Sequence, residues 1–65
     1  MKFEMNVPTL VDTNDTYNFY IEKCSSRVWY VIATAKTDSN RRTLASFTTK
    51  RVAFECVEAW KSWMK

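Results

Sequence analysis

Leu44 to Ala53 reads Leu-Ala-Ser-Phe-Thr-Thr-Lys-Arg-Val-Ala, and this stretch decides the fold. It combines the end of a strand, a short threonine turn and the first turn of an amphipathic helix. Thr48 and Thr49 stop the β pattern. Either hydroxyl can accept from a backbone N–H two or three residues on, as an N-cap does. Such a junction calls for a small sheet with one C-terminal helix across it.

Downstream, the pattern predicts a helix from about Lys50 to Met64. At 100° per residue, Val52, Ala53, Cys56, Val57, Ala59, Trp60, Trp63 and Met64 fall on one arc. Lys50, Arg51, Glu55, Glu58, Lys61 and Ser62 take the other side. Phe54 breaks the pattern because it falls among the charged residues. It is either folded over the sheet edge or an exposed aromatic anchor for a partner.

Upstream, Arg41 to Thr48 reads as the last strand, after a turn at Thr37-Asp38-Ser39-Asn40. Val28 to Lys36 is the most apolar strand. Val28, Tyr30 and Ile32 lie opposite Trp29, Val31 and Ala33, and apolar groups on both faces suit a central position. Tyr17 to Cys24 precedes it, with Tyr17, Phe19 and Ile21 on one face and a turn at Ser25-Ser26. Residues 1–7 alternate, with Met1, Phe3, Met5 and Val7 on one side, which predicts an edge strand ended by Pro8. Asp12 to Thr16 reads as a polar loop.

These elements make one α+β domain: a three- or four-stranded antiparallel sheet packed on one C-terminal helix. Residues 1–16 supply a strand and loop, 17–48 the sheet and 49–65 the helix. A 65-residue chain buries only about 60% of its unfolded surface. Its 46% hydrophobic and 15% aromatic content supplies the core that a disordered tail lacks.

Composition argues against an enzyme. The chain has no His and no Gly, so the commonest neutral-pH base is missing and no glycine-rich phosphate loop can form. Glu55/Glu58 and Asp12/Asp15 read as solvated surface charges, with Arg51–Glu55 and Glu58–Lys61 at helix-pair spacing. Cys24 and Cys56 are too few for a zinc site and read as reduced thiols, a disulfide being the minority alternative. No metal, cofactor or small-molecule substrate is expected. No apolar run approaches a membrane span, and the first residues lack a signal-peptide core, so the expected location is cytoplasmic.

Binding is what remains. The net charge of +3 suits an acidic partner without demanding one. Arg27 precedes Trp29, Lys36 ends the central strand and Arg41-Arg42 opens the last. A sheet face carrying Arg and Trp could enter a groove or stack on bases; the other reading keeps Trp29 in the core and the arginines as solubilising groups at strand ends.

Three strands and a helix, with Trp29 in the middle strand, resemble the DNA-binding domain of plant ethylene-response transcription factors. In outline they are also similar to the arm-site-binding domain of tyrosine recombinases. Leu44, Phe47, Thr49 and Ala53 match the strand–turn–helix spacing of the plant family, while Ala45 and Ser46 stand where it has Gly and Thr. The likeness covers about residues 17–60, and its motif mostly encodes packing. Small bacterial and phage domains share the same sequence pattern.

By position, the resemblance implies DNA contact through Trp29, with Arg27, Lys36, Arg41 and Arg42 as approximate counterparts of the groove-reading residues. The family's turn glycines are absent here, and the strands carry fewer arginines. The alternative expectation is a phage-type inhibitor or adaptor. It would bind a host protein complex through the sheet edge or through the helix face, at Phe54, Arg51 and Glu58.

Overall fold

The computed structural model describes residues 4–38 and 40–63. Four antiparallel strands, β1 (Thr9–Thr13), β2 (Tyr17–Ser25), β3 (Val28–Ala35) and β4 (Arg41–Phe47), lie in the order β1-β2-β3-β4. Helix α1 (Lys50–Trp63) follows. The architecture is the expected α+β sheet with a C-terminal helix, in its four-stranded form.

The first strand differs from the expectation. Met1 and Phe3 lie outside the described residues. Met5 makes only one isolated parallel bridge, to Lys23, and Asn6 turns the chain with φ 62°. Asn is one of the few side chains that tolerate this left-handed conformation. The strand forms after Pro8 instead, where Thr9, Leu10, Asp12 and Thr13 pair with β2 and Val11 is left over as a bulge.

Without glycine, side-chain acceptors shape the turns. Asn14 Oδ1 accepts from the backbone N–H of Thr16 (2.9 Å) and of Tyr17 (2.7 Å). Ser25 Oγ accepts from Arg27 N–H at 3.3 Å and Asp38 Oδ1 from Asn40 N–H at 2.9 Å.

Register decides which face meets the helix. Phe19 pairs with Ala33, Ile21 with Val31 and Trp29 with Phe47, so these side chains share a face. Phe19, Ile21, Trp29, Val31 and Ala33 are buried there with Ala53 and Val57 of α1. Leu44 is left over where the pairing moves from Val31–Ala45 to Ile32–Thr43, a bulge in β4, and it packs on the same core. The other face carries Tyr20, Glu22, Tyr30, Ile32 and Thr34.

The helix begins as its sequence predicts. Thr49 Oγ1 accepts from the Val52 N–H at 3.3 Å, and the Thr49 carbonyl accepts from the Ala53 N–H. Thr49 is therefore the N-cap. Thr49→Ala should lower unfolding stability by about 1 kcal/mol, whereas Thr48→Ala should change it by less than about 0.5 kcal/mol. Urea titrations of the two variants check this.

Candidate functional site

The basic and aromatic residues marked for nucleic acid do not converge. Trp29 is 8% exposed and belongs to the core under the helix. It does not lie on the open face. Lys23, its register partner, holds its ammonium 5.6 Å from the ring centroid, an arrangement that favours a cation over an indole face. Arg27 is exposed in the β2–β3 turn, and Lys36 is exposed just beyond the far end of β3. The eight residues of β3 lie between them, and that strand alone spans about 23 Å.

Arg41 and Arg42 point to opposite sides of the sheet. Arg41 pairs in register with Thr34 and crosses over β3 on the open face to reach Glu22 on β2 at 2.8 Å. Arg42 pairs with Ala33 on the helix-side face, and it is exposed. The open face is also more closed than its sequence suggests. Ile32 is only 1% exposed, in a depression walled by Pro8, Tyr20, Thr34 and Arg41.

The helix sits differently from its predicted arc. α1 follows β4 after a two-residue link and ends at the β1–β2 loop, so it crosses the sheet diagonally. Two contacts fix that end. Lys61 Nζ lies 3.1 Å from Asp12 Oδ2, and Asn14 Nδ2 donates to the Lys61 carbonyl at 3.3 Å. With Lys61 turned to β1, the sector facing the sheet contains Ala53, Phe54, Val57 and Trp60. Phe54 therefore packs against the core and is no exposed anchor. Arg51 is exposed and pairs with Glu55 at 3.7 Å. Glu58 is exposed close enough to Lys61 to favour its charged form.

Electrostatics tighten this clasp. The Thr13 backbone N–H donates to Asp12 Oδ1 at 2.8 Å. That bond, aided by Lys61, holds the Asp12 carboxyl below its ordinary value despite some desolvation. The hydrogen bond to Asp12 in turn raises the Lys61 ammonium.

What the rotation leaves outside is the opposite flank of α1. Val52 is 41% exposed and Trp63 78%, and Ala59 is exposed between them. Half-buried Cys56 and Trp60 join this flank to the core. Trp63 meets Trp60 edge-on, with ring centroids 5.4 Å apart and planes at 78°. A shallow notch lies between Ala59 and the two indoles. The sequence marks all these residues as apolar, but the helical wheel does not say which of them the sheet covers.

The cysteines belong to different layers. Cys24 Sγ donates to Glu22 Oε2 at 3.6 Å on the open-face side, and Cys56 lies on the helix across the sheet. Both are free. Burial raises both thiols; Glu22 raises Cys24 further, and a hydrogen bond with Trp60 partly offsets the effect at Cys56. Among the described residues no cluster of His, Cys, Asp or Glu could hold a metal ion, and no helix is long and apolar enough to cross a membrane.

A core role for Trp29 predicts that Trp29→Ala costs about 3–5 kcal/mol, enough to unfold much of a domain this small. Circular dichroism during urea unfolding would show it, with Trp29→Phe intermediate. Asp12→Asn tests the clasp. The depressed Asp12 carboxyl contributes stability that is fully present above the ordinary carboxylate value of about 4. This contribution is lost as pH falls through the lower folded value. The stability gap between wild type and Asp12→Asn should therefore be constant near neutral pH and close in acid.

No family model, curated protein or solved structure matches this chain.

Proposed function

We propose that this chain is a non-enzymatic binding module that docks on another protein through the outer flank of α1. The observation that carries this reading is Trp63, 78% exposed on a flank shared with Val52 and Ala59. An indole left in water at the end of an apolar stripe gives up burial free energy that a partner can recover. Tryptophan is also the residue type most enriched among interface hot spots. An inhibitor or adaptor acting on a host protein complex is a role of this kind.

Nucleic-acid binding is the weaker reading. It retains Arg27, Lys36, Arg41 and Arg42 but loses the stacking group, because Trp29 lies in the core. Arg27 stands at the opposite end of the sheet from the other three, and Arg41 is already paired with Glu22.

The two readings separate in one experiment. Tagged wild-type chain and its Trp63→Ser variant are used to capture material from a bacterial lysate, with and without nuclease. Circular dichroism first confirms that both are folded. A stoichiometric protein that survives nuclease and high salt, and is lost with Trp63→Ser, is the expected result. Recovery of nucleic acid alone, or equal capture by both chains, overturns the reading. Nucleic-acid capture should fall steeply with salt because phosphate contacts release counterions.

A further inference from the structure

We infer that the outward edge of β4 accepts an extended acidic segment of a partner protein as a fifth strand. The inference rests on the protein-binding reading and gives the partner a chemistry.

Among the described residues, the sheet ends at β4, which pairs with β3 alone. Alternate residues of an edge strand turn their N–H and C=O groups outward, where another strand can take them. Among the described residues, no backbone hydrogen bond from outside the sheet reaches Arg41–Phe47. The opposite edge is shorter and better protected. β1 has five residues against seven in β4 and follows Pro8, which has no N–H to offer. Asn6 N–H caps the neighbouring Lys23 carbonyl at 2.7 Å.

The side chains around β4 define what fits. From Asn40 to Phe54 the sequence holds Arg41, Arg42, Lys50 and Arg51 and no carboxylate. Glu22 and Glu55 balance Arg41 and Arg51 from outside this stretch, while Arg42 has no ion-pair partner among the described residues. An added strand is therefore favoured when it brings acidic groups to the Arg41–Arg42 end. Arg41 does not guard the edge, because its guanidinium turns back over β3. Thr43 and Ser46 are small and exposed.

Toward the helix side, the first turn of α1 stands just beyond the end of β4, with Val52 exposed on its outer flank. Leu44 and Phe47 are half-buried there. The side chains of a fifth strand alternate between faces, so every second one would approach this apolar margin. The occupant is thus an extended segment alternating apolar with polar or acidic residues. A second copy of this chain fits poorly, since β4 carries no carboxylate to set against the Arg42 of its neighbour.

The test selects binders from a displayed library of random twelve-residue peptides against the full chain. Amide hydrogen exchange is then measured on complexes with the selected peptides made synthetically. Proline-poor peptides alternating apolar and acidic residues are expected to emerge. They should slow alternate amides within Arg41–Phe47 by about tenfold or more. Arg42→Glu should weaken them by about fivefold. Absence of enrichment overturns the proposal, as do peptides with helical apolar spacing or protection confined to other elements. Slowing of the same β4 amides by the chain's own self-association, or by a single-stranded oligonucleotide that displaces the peptides, also overturns it. A lysate partner released by Trp63→Ser whose complex leaves the β4 amides unprotected would sink the edge proposal alone and leave the helix-flank reading standing.

Discussion

Everything in this domain depends on one helix seated on one sheet face by small side chains. Ala53 and Val57 are the helix residues fully enclosed against Phe19, Ile21 and Val31. Because they are short, the helix can approach the sheet closely, and larger groups such as Phe54 and Trp60 fill its margins. Each fully buried aliphatic or aromatic side chain in this layer contributes roughly 1.5–3 kcal/mol. A 65-residue chain has few such residues to lose.

The rotation of that helix links the core to the surface. Asp12 and Asn14 hold Lys61 over the β1–β2 loop, so the helix cannot turn to bury Trp63 without breaking both contacts. The apolar arc of α1 is wider than the sector that the sheet covers, and its excess emerges on the far flank. The same diagonal path sets the first turn of the helix beside the end of β4. The exposed indole and the uncovered edge thus follow from a single packing choice.

The open face took a different course. It is neither a bare basic surface nor a simple polar one, since Pro8, Tyr20 and Arg41 shelter Ile32 and Arg41 is tied to Glu22. A charge engaged across the sheet is partly neutralised toward an incoming phosphate. That is why the net charge of +3 does not translate into a basic patch on this face.

Local chemistry made much of this legible from the residues alone. The cap could be narrowed to Thr48 or Thr49 because a hydroxyl before an amphipathic run has one favoured use, and the structure selects Thr49. β2, β3, β4 and α1 followed from period-2 and period-3.6 patterns, and the glycine-free turns from Asn, Asp and Ser. β1 was harder, since Thr9-Leu10-Val11 is too short to show a period and becomes a strand only by pairing with β2. Both faces of β3 are apolar, so alternation could not say whether Trp29 or Tyr30 meets the helix. The helical wheel placed Trp63 on the apolar arc and Phe54 among the charged residues, and the structure reverses the two. Local pattern determines which residues share a face; only the register of the sheet and the clasp at Lys61 decided which faces are buried, because burial belongs to pairs of elements rather than to either one.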